Sequence, residues 1–346
     1  MNRIVLLIVA TLVISGCKDS GNPDVSDIPV ELTTVRFEKD FFTLDTSDLS
    51  VSLDNLYREY PVFFRDFTVN ILGLPPIKDS GTDAMNAVKR FIHDYKPVYD
   101  SVMLRFPDLK KEEAEIIKGL KYVKYYFPQY PLPEKLITFI GPMDAFFQGS
   151  LGGYGDAITT EGLAIGLQLH LGSRFSMYHT EMGISLFPTY ISRRFAPEYI
   201  PVNSIKNVID DIFPDQSAEL TLVEQMVEKG KRMYLLDRLM PETPDTIKIG
   251  YTKPQLDGAR NNEGMIWNYF IKNNLVYNND PSLIKNYIGD SPGTPEFGEG
   301  APGYIGLFVG WQIVKAFMEK NSNMALIQLM QTPAKEVFEK SGYRPR

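Results

Sequence analysis

The sequence predicts a mainly helical α+β domain with a small β-sheet. Over most of the chain, apolar residues recur at spacings of three and four, which is typical of amphipathic helices. Two shorter apolar runs, residues 135–140 and 162–171, interrupt that rhythm and are typical of strands. Hydrophobic residues make up 44% of the chain and aromatic residues 12%, which is enough for one large core. Because the sequence contains neither an internal repeat nor a second linker, residues 30–346 are predicted to form a single domain.

The first half of this domain is predicted to start with a strand and to continue through helices. Residues 30–37 alternate between apolar and polar positions, which indicates a strand with one buried face. The turn formers of residues 73–76 end the helical unit that follows. The helical patterns of this half cover residues 49–60, 62–72 and 110–127, together with a helix that Asp83 is expected to cap.

The second half is predicted to be helical apart from one loop rich in proline and glycine, residues 289–303. Gly306 and Gly310 in the helix after that loop indicate close packing against a neighbouring helix, because glycine has no side chain to hold two backbones apart. The predicted helices cover residues 204–213, 219–236, 259–274 and 304–320, and a last helix starts at Thr332 and Pro333 and ends at Ser341 and Gly342.

The N-terminus is predicted to be a lipoprotein signal peptide, residues 1–16. A short positive start is followed by an apolar run of roughly 11 residues, far short of the ~20 that a membrane-spanning helix needs. Residues 14–17, Ile-Ser-Gly-Cys, resemble the lipobox that a lipoprotein signal peptidase cleaves. Cys17 is therefore the predicted lipid-attachment residue, and two or three acyl chains there would anchor the protein stably.

The residues after Cys17 are predicted to form a flexible tether, residues 17–29. They are polar and rich in turn formers, and they show no apolar periodicity. Lys18 follows the cysteine where an inner-membrane retention signal would have aspartate. The sequence thus favours a lipid-anchored protein of the cell envelope, at the outer membrane rather than the inner one.

Charge and cysteine content exclude several classes of function. The formal net charge is -7, and lysine and arginine are spread along the chain, so no basic patch indicates a nucleic-acid partner. The single cysteine excludes an internal disulfide and a cysteine zinc site.

The three histidines, His93, His170 and His179, do not form the HExxH pair that places two imidazoles on one helix face. His179 and Glu181 match half of a zinc deaminase motif, but its cysteine half is missing. His170 is interpreted as an ordinary strand or edge residue beside Arg174. No catalytic, metal-binding or cofactor-binding residue is predicted.

Two pairs of carboxylates are the remaining candidates for acid and base chemistry. Asp210 and Asp211 are neighbours, and Glu224 and Glu228 lie one helical turn apart. Glu228 has the spacing to pair with Lys231 or Arg232, which favours a solvated, charge-paired helix face over a catalytic site.

Several segments resemble the GldB family of gliding-motility lipoproteins of Bacteroidota. The resemblance extends over nearly the whole mature chain and includes the lipobox. The similar segments are residues 122–128, 135–141, 162–172, 190–197, 222–234, 265–270, 291–314 and 337–345.

This family is distantly similar to HExxH zinc metallopeptidases, so the resemblance implies a zincin-like domain. The helix that would carry the histidines falls in residues 204–213, where Lys206, Asn207, Asp210 and Asp211 stand instead. Glu228 would be the remnant of a glutamate ligand.

The resemblance therefore implies a membrane-anchored, non-catalytic binding or assembly component with envelope protein partners. Two alternatives stay open. The first is an envelope hydrolase, peptidase-like, that uses Asp210, Asp211 and Glu228. The second is a solute-binding lipoprotein that grips its ligand with tyrosine and phenylalanine side chains.

Overall fold

The protein combines a small mixed sheet with many helices, as predicted. A computed structural model gives the structure of residues 22–75 and 77–345. The predicted signal peptide, Cys17 and the first part of the predicted tether lie outside the described residues, as does Pro76 of the predicted turn. No helix of the described part is long and apolar enough to cross a bilayer.

The main sheet has four strands in the order β1, β2, β6, β5. The three parallel strands are β1 (Thr33–Arg36), β2 (Lys135–Phe139) and β6 (Gly162–Gly166), and β5 (Asp156–Thr159) is the antiparallel edge. Two further strands, β3 (Phe147–Gly149) and β4 (Gly152–Tyr154), form a separate hairpin. Every residue of β6 is buried, as is typical of parallel strands covered on both faces.

Both long strand predictions were too long. The strand predicted over residues 30–37 is reduced to β1, because helix α1 (Phe37–Phe42) begins at Phe37 and buries that ring completely. The strand predicted over residues 162–171 ends at Gly166, where a 3₁₀ turn (Leu167–Leu169) begins. Strands β3, β4 and β5 were not predicted, because segments of three or four residues are too short to show a recognisable alternation, and β3 and β4 also contain glycine.

Helices fill the chain between β1 and β2. The helices predicted over residues 49–60 and 110–127 are confirmed within a few residues. The helix predicted over residues 62–72 begins as an α-helix and continues as a π-helix (Asp66–Ile71). Asp83 does not cap a helix, because α4 begins at Ile77; several Asp, Ser and Thr residues precede Ala84, so sequence does not single out the cap. These helices are α2 (Leu49–Glu59), α3 (Pro61–Arg65), α4 (Ile77–Asp94), α5 (Lys96–Arg105) and α6 (Lys110–Tyr126).

The helices after β6 make up most of the second half. Thr221 and Glu224 form a capping box that fixes the start of α10, and Gly342, with φ of 60°, ends α17. The helix predicted over residues 259–274 is divided at Asn262. The elements are α7 (Glu181–Leu186), α8 (Thr189–Ser192), α9 (Ile200–Ile212), α10 (Leu222–Leu239), α11 (Asp245–Ile249), α12 (Lys253–Asn261), α13 (Glu263–Lys272), α14 (Pro281–Ile288), α15 (Ile305–Lys320), α16 (Leu326–Gln331) and α17 (Ala334–Ser341).

The two long helices α10 and α15 pack against each other at glycines. A Cβ atom on Gly310 would lie 1.7 Å from the carbonyl oxygen of Met226, and one on Gly230 would lie 2.2 Å from the carbonyl oxygen of Gly310. A Cβ atom on Gly306 would lie 2.6 Å from the carbonyl oxygen of Tyr287 in α14. The close packing predicted for Gly306 and Gly310 is therefore confirmed.

Helix α9 connects the sheet to this helical pair. This helix packs against strand β5 and against helices α6 and α10. It also contacts strand β3 of the hairpin. Polar side chains on α9 and α10 consequently face a common region under the hairpin.

Candidate functional site

The turn of the β3–β4 hairpin is held by three different helices through Ser150. Its backbone N–H donates to Oδ2 of Asp210 at 2.8 Å, and its hydroxyl donates to the other oxygen of the same carboxylate. Its carbonyl oxygen accepts hydrogen bonds from Nζ of Lys229 at 3.0 Å and from the hydroxyl of Tyr304 at 2.9 Å. One serine thus joins α9, α10 and the start of α15.

Arg232 lies beneath this turn and is almost completely buried. Its guanidinium donates to the carbonyl oxygens of Phe213 and Glu228 at 2.8 and 2.9 Å. Three carboxylates surround it: Glu228 at 3.5 Å, Asp210 at 3.7 Å and Asp215 at 4.0 Å. The structure therefore brings Asp210 and Glu228 together, but on either side of a shared cation.

Two lysines complete this charged cluster. Lys231, 1% exposed, donates to Glu228 at 2.6 Å, and Lys229 donates to Asp215 at 3.3 Å. Burial lowers the pKa of both lysines, and the nearby carboxylates oppose that shift. The predicted pairing of Glu228 with Lys231 and Arg232 is confirmed. The prediction of a solvated face was wrong, because both cations are almost completely buried: Arg232 lies below the hairpin, and Lys231 also donates to the carbonyl oxygen of Thr332 at the end of α16.

The other two predicted carboxylates have separate roles. Glu224 accepts from the N–H and hydroxyl of Thr221 at 3.1 and 2.5 Å, which completes the capping box of α10. Asp211 accepts from the hydroxyl of Tyr130 at 2.6 Å. Neither is among the carboxylates that surround Arg232.

A second polar cluster lies at the other end of α9, around the fully buried Asp156. This carboxylate accepts from Nε2 of His170 at 2.8 Å and from the side-chain amide of Asn203 at 2.9 Å. The other imidazole nitrogen, Nδ1, faces the carbonyl oxygen of Ala196 at 3.3 Å. The interpretation of His170 as a strand or edge residue was wrong: it lies after β6, is 1% exposed, and joins the edge strand β5 to the segment that precedes α9.

Lys206 lies between the two clusters and is 5% exposed. Its ammonium lies 5.3 Å from the centre of the Tyr154 ring, in reach of a cation–π contact. Burial, together with the positive charge of Arg194, lowers the pKa of Lys206 to about 7, against the opposing effect of Asp290 and Asp210. Arg194 in turn forms an ion pair with Asp290.

The remaining histidines do not contribute to either cluster. His93 contacts Asp94, and His179 contacts the carbonyl oxygen of Ser173 at 2.8 Å; both are exposed. Across residues 22–75 and 77–345, no group of three or more histidine, cysteine, aspartate or glutamate side chains is arranged to hold a metal ion.

Many of the phenylalanine side chains pack in the hydrophobic core. Phe37, Phe41, Phe63 and Phe67 pack edge-on or stacked around one another near the sheet. A separate open groove of about 730 Å³ is lined by three tyrosines and two cations, Tyr125, Tyr126, Tyr234, Arg238 and Lys315. The solute-binding alternative stays a prediction.

Sequence reasoning missed the hairpin and the residues it organises. Ser150, Asp156 and Asp290 were not singled out, and Arg194 was named only as part of a segment similar to the family, although Ser150 and Asp156 are central to the two clusters and Arg194 pairs with Asp290 beside Lys206. The available signal was the spacing of glycines at residues 149, 152, 153 and 155, which is typical of tight turns and close backbone approach.

Comparison with known proteins identifies one family. The model of a lipoprotein family described as Gliding motility protein GldB matches residues 18–345. Comparisons with curated proteins and with solved structures find no match in either set. Since the family model extends from the residue after Cys17 to the end of the last described turn, the chain belongs to the GldB family of gliding motility proteins.

Proposed function

We propose that this protein is a lipid-anchored component of the gliding-motility apparatus that works by binding or assembly and not by catalysis. The observation that carries this proposal is that the acidic residues Asp210 on α9 and Glu228 on α10 are engaged in hydrogen bonds and ion pairs within the protein. Asp210 clamps both the N–H and the hydroxyl of Ser150. Glu228 accepts from Lys231 and flanks Arg232. Carboxylates engaged in this way stabilise the fold, because each already holds a hydrogen-bond donor or a cation of the protein itself.

We also propose, from the sequence resemblance, that the domain descends from a zincin-like scaffold that has lost its metal. By that proposal, Lys206, Asn207 and Asp210 of α9 would stand where a metallopeptidase carries its histidine pair, and Glu228 of α10 would be the remnant of its glutamate ligand. In this chain the four positions hold a cation, an amide and two carboxylates paired with cations. None of these groups is an imidazole, which zinc favours.

Anchoring through Cys17 is the second part of the proposal, with the protein at the outer membrane and residues 17–29 as its tether. We expect Cys17→Ser to release the protein from membranes, because no other acyl-chain site is predicted and acyl chains supply the binding energy. Fractionation of envelope and soluble extracts by ultracentrifugation measures this. Ser20→Ala, three residues away, is the matched control and should stay in the membrane fraction. A Cys17→Ser protein that remains membrane-bound would contradict the anchor.

Complementation in a gliding host tests the absence of catalysis. A strain that lacks the gene should fail to spread, and both Glu228→Gln and Asp210→Asn should restore spreading, because each amide keeps a hydrogen-bonding oxygen while losing acid and base chemistry. Protein levels are measured in the same cells, so that loss of the folded protein is distinguished from loss of function.

Two outcomes would oppose the proposal. Normal spreading of the deletion strain would remove the motility role. Failure of a stable Glu228→Gln protein to restore spreading, together with peptidase or glycan hydrolase activity or stoichiometric zinc in the purified protein, would favour the envelope hydrolase with Asp210, Asp211 and Glu228.

A further inference from the structure

A small cavity lies beside Lys206, between the hairpin, α9 and the segment around Arg194. Its volume is about 20 Å³, and its lining includes Tyr154, His170, Arg194, Asn203 and Lys206. About 10–15 Å³ is enough for one water molecule. The cavity therefore has room for a single guest the size of a water molecule or a halide ion.

The cavity wall contains hydrogen-bond donors without acceptors. The Tyr154 hydroxyl is buried and has no hydrogen-bond partner. In the part of the chain that the structure describes, no oxygen accepts a hydrogen bond from the ammonium of Lys206 and no carboxylate pairs with it. The Tyr154 hydroxyl is out of reach of bulk water, and the Lys206 side chain is 5% exposed.

The possible acceptors nearby are already used. Asp156 accepts from His170 and Asn203, and Asp290 pairs with Arg194. Leaving a buried hydroxyl unpaired is costly, and so is burying most of a lysine side chain without a carboxylate to balance its charge. An anion would accept from both donors at once, and its charge would balance that of Lys206.

We propose that this cavity is a binding site for one small monovalent inorganic anion of halide size, such as chloride. The hydroxyl of Tyr154 and the ammonium of Lys206 would donate to the ion, and Arg194 would add positive potential at its mouth. This proposal goes beyond the assembly role and does not depend on it.

The proposal also has a pH dependence. The groups that face Lys206 are Arg194, Asp290, Asp210 and the Tyr154 ring. Because burial lowers the pKa of Lys206 to about 7, its ammonium is present below that pH and is lost above it. Anion binding should therefore weaken as the pH rises through 7, and a bound anion should raise the pKa of Lys206 in return.

Thermal unfolding of the purified protein in chloride and in gluconate tests the site. At pH 6 and an ionic strength of about 0.1 M, the melting temperature should be about 2 °C higher in chloride. The difference should shrink at pH 8.5. Tyr154→Phe and Lys206→Met should each remove it, while Lys253→Met, which changes an exposed lysine, should retain it. Tyr154→Phe keeps the test valid if the lysine variant fails to fold.

Crystals soaked in bromide provide the direct observation. An anomalous peak between Tyr154 and Lys206 supports the proposal, and its absence in Tyr154→Phe strengthens it. A water molecule in the cavity without an anomalous peak, or equal melting temperatures in both salts at pH 6, would overturn it.

Discussion

Replacing Gly310 by alanine is expected to destabilise the protein by at least about 3 kcal/mol. The added methyl group would lie 1.7 Å from the carbonyl oxygen of Met226, a backbone atom that cannot rotate away as a side chain can. The helices α10 and α15 would have to separate, and the interlocked aliphatic side chains on both sides of the contact would lose packing. Gly230→Ala should act in the same way, because its methyl group would meet the backbone of Gly310 at 2.2 Å.

Urea unfolding followed by circular dichroism measures this effect, and Gly258→Ala is the matched control. Gly258 lies in α12 with open space where a Cβ would stand. Alanine is the better helix former by roughly 1 kcal/mol, so this variant should be slightly more stable than the parent protein. A Gly310→Ala protein with the stability of Gly258→Ala would mean that the two long helices do not meet at this glycine.

Lys206→Met is expected to stabilise the protein in a halide-free gluconate buffer at pH 6, by on the order of 3 kcal/mol. Within residues 22–75 and 77–345 no oxygen accepts from the Lys206 ammonium, and methionine fills a similar volume without a charge to desolvate. Loss of the cation–π contact with Tyr154 opposes this gain by about 1 kcal/mol, which is smaller.

The pH dependence of that gain follows from the lowered pKa. In the unfolded chain Lys206 keeps its proton up to its ordinary pKa of 10.5, whereas in the folded protein it loses the proton near 7. Between these values the unfolded state binds more protons, so the stability of the parent protein rises with pH. The advantage of Lys206→Met is complete below pH 7 and shrinks towards pH 10.5.

Urea unfolding at pH 6, 7.5 and 9 checks this prediction. Lys253→Met should differ from the parent protein by less than about 0.5 kcal/mol at each pH, since Lys253 lies on the surface. A Lys206→Met protein that is less stable than the parent at pH 6 would show that the ammonium has a partner that compensates for its burial.

Much of the helical architecture is determined by short stretches of sequence. The capping box of Thr221 and Glu224 and the left-handed Gly342 both act within one helical turn, and the stripe of α6 recurs every three or four residues. Such signals need no knowledge of the rest of the chain: the end of α17 at Gly342 was predicted, whereas α10 was predicted to start at residue 219, because the capping box was not recognised. The small side chains of Gly306 and Gly310 even indicated a close helix contact before its partner was known.

Only the tertiary structure decided what the charged residues do. Ser150 contacts Asp210, 60 residues away, and Tyr304, 154 residues away, and no local pattern encodes such distances. Whether Glu228 faces water or a buried Arg232, and whether Lys206 has an acceptor, depends on which distant segment covers each side chain. Burial changes the free energy of a charge by several kcal/mol. In the sequence, Asp210 and Lys206 therefore look like ordinary surface charges. In the folded protein, Asp210 holds the hairpin turn and Lys206 lines the cavity.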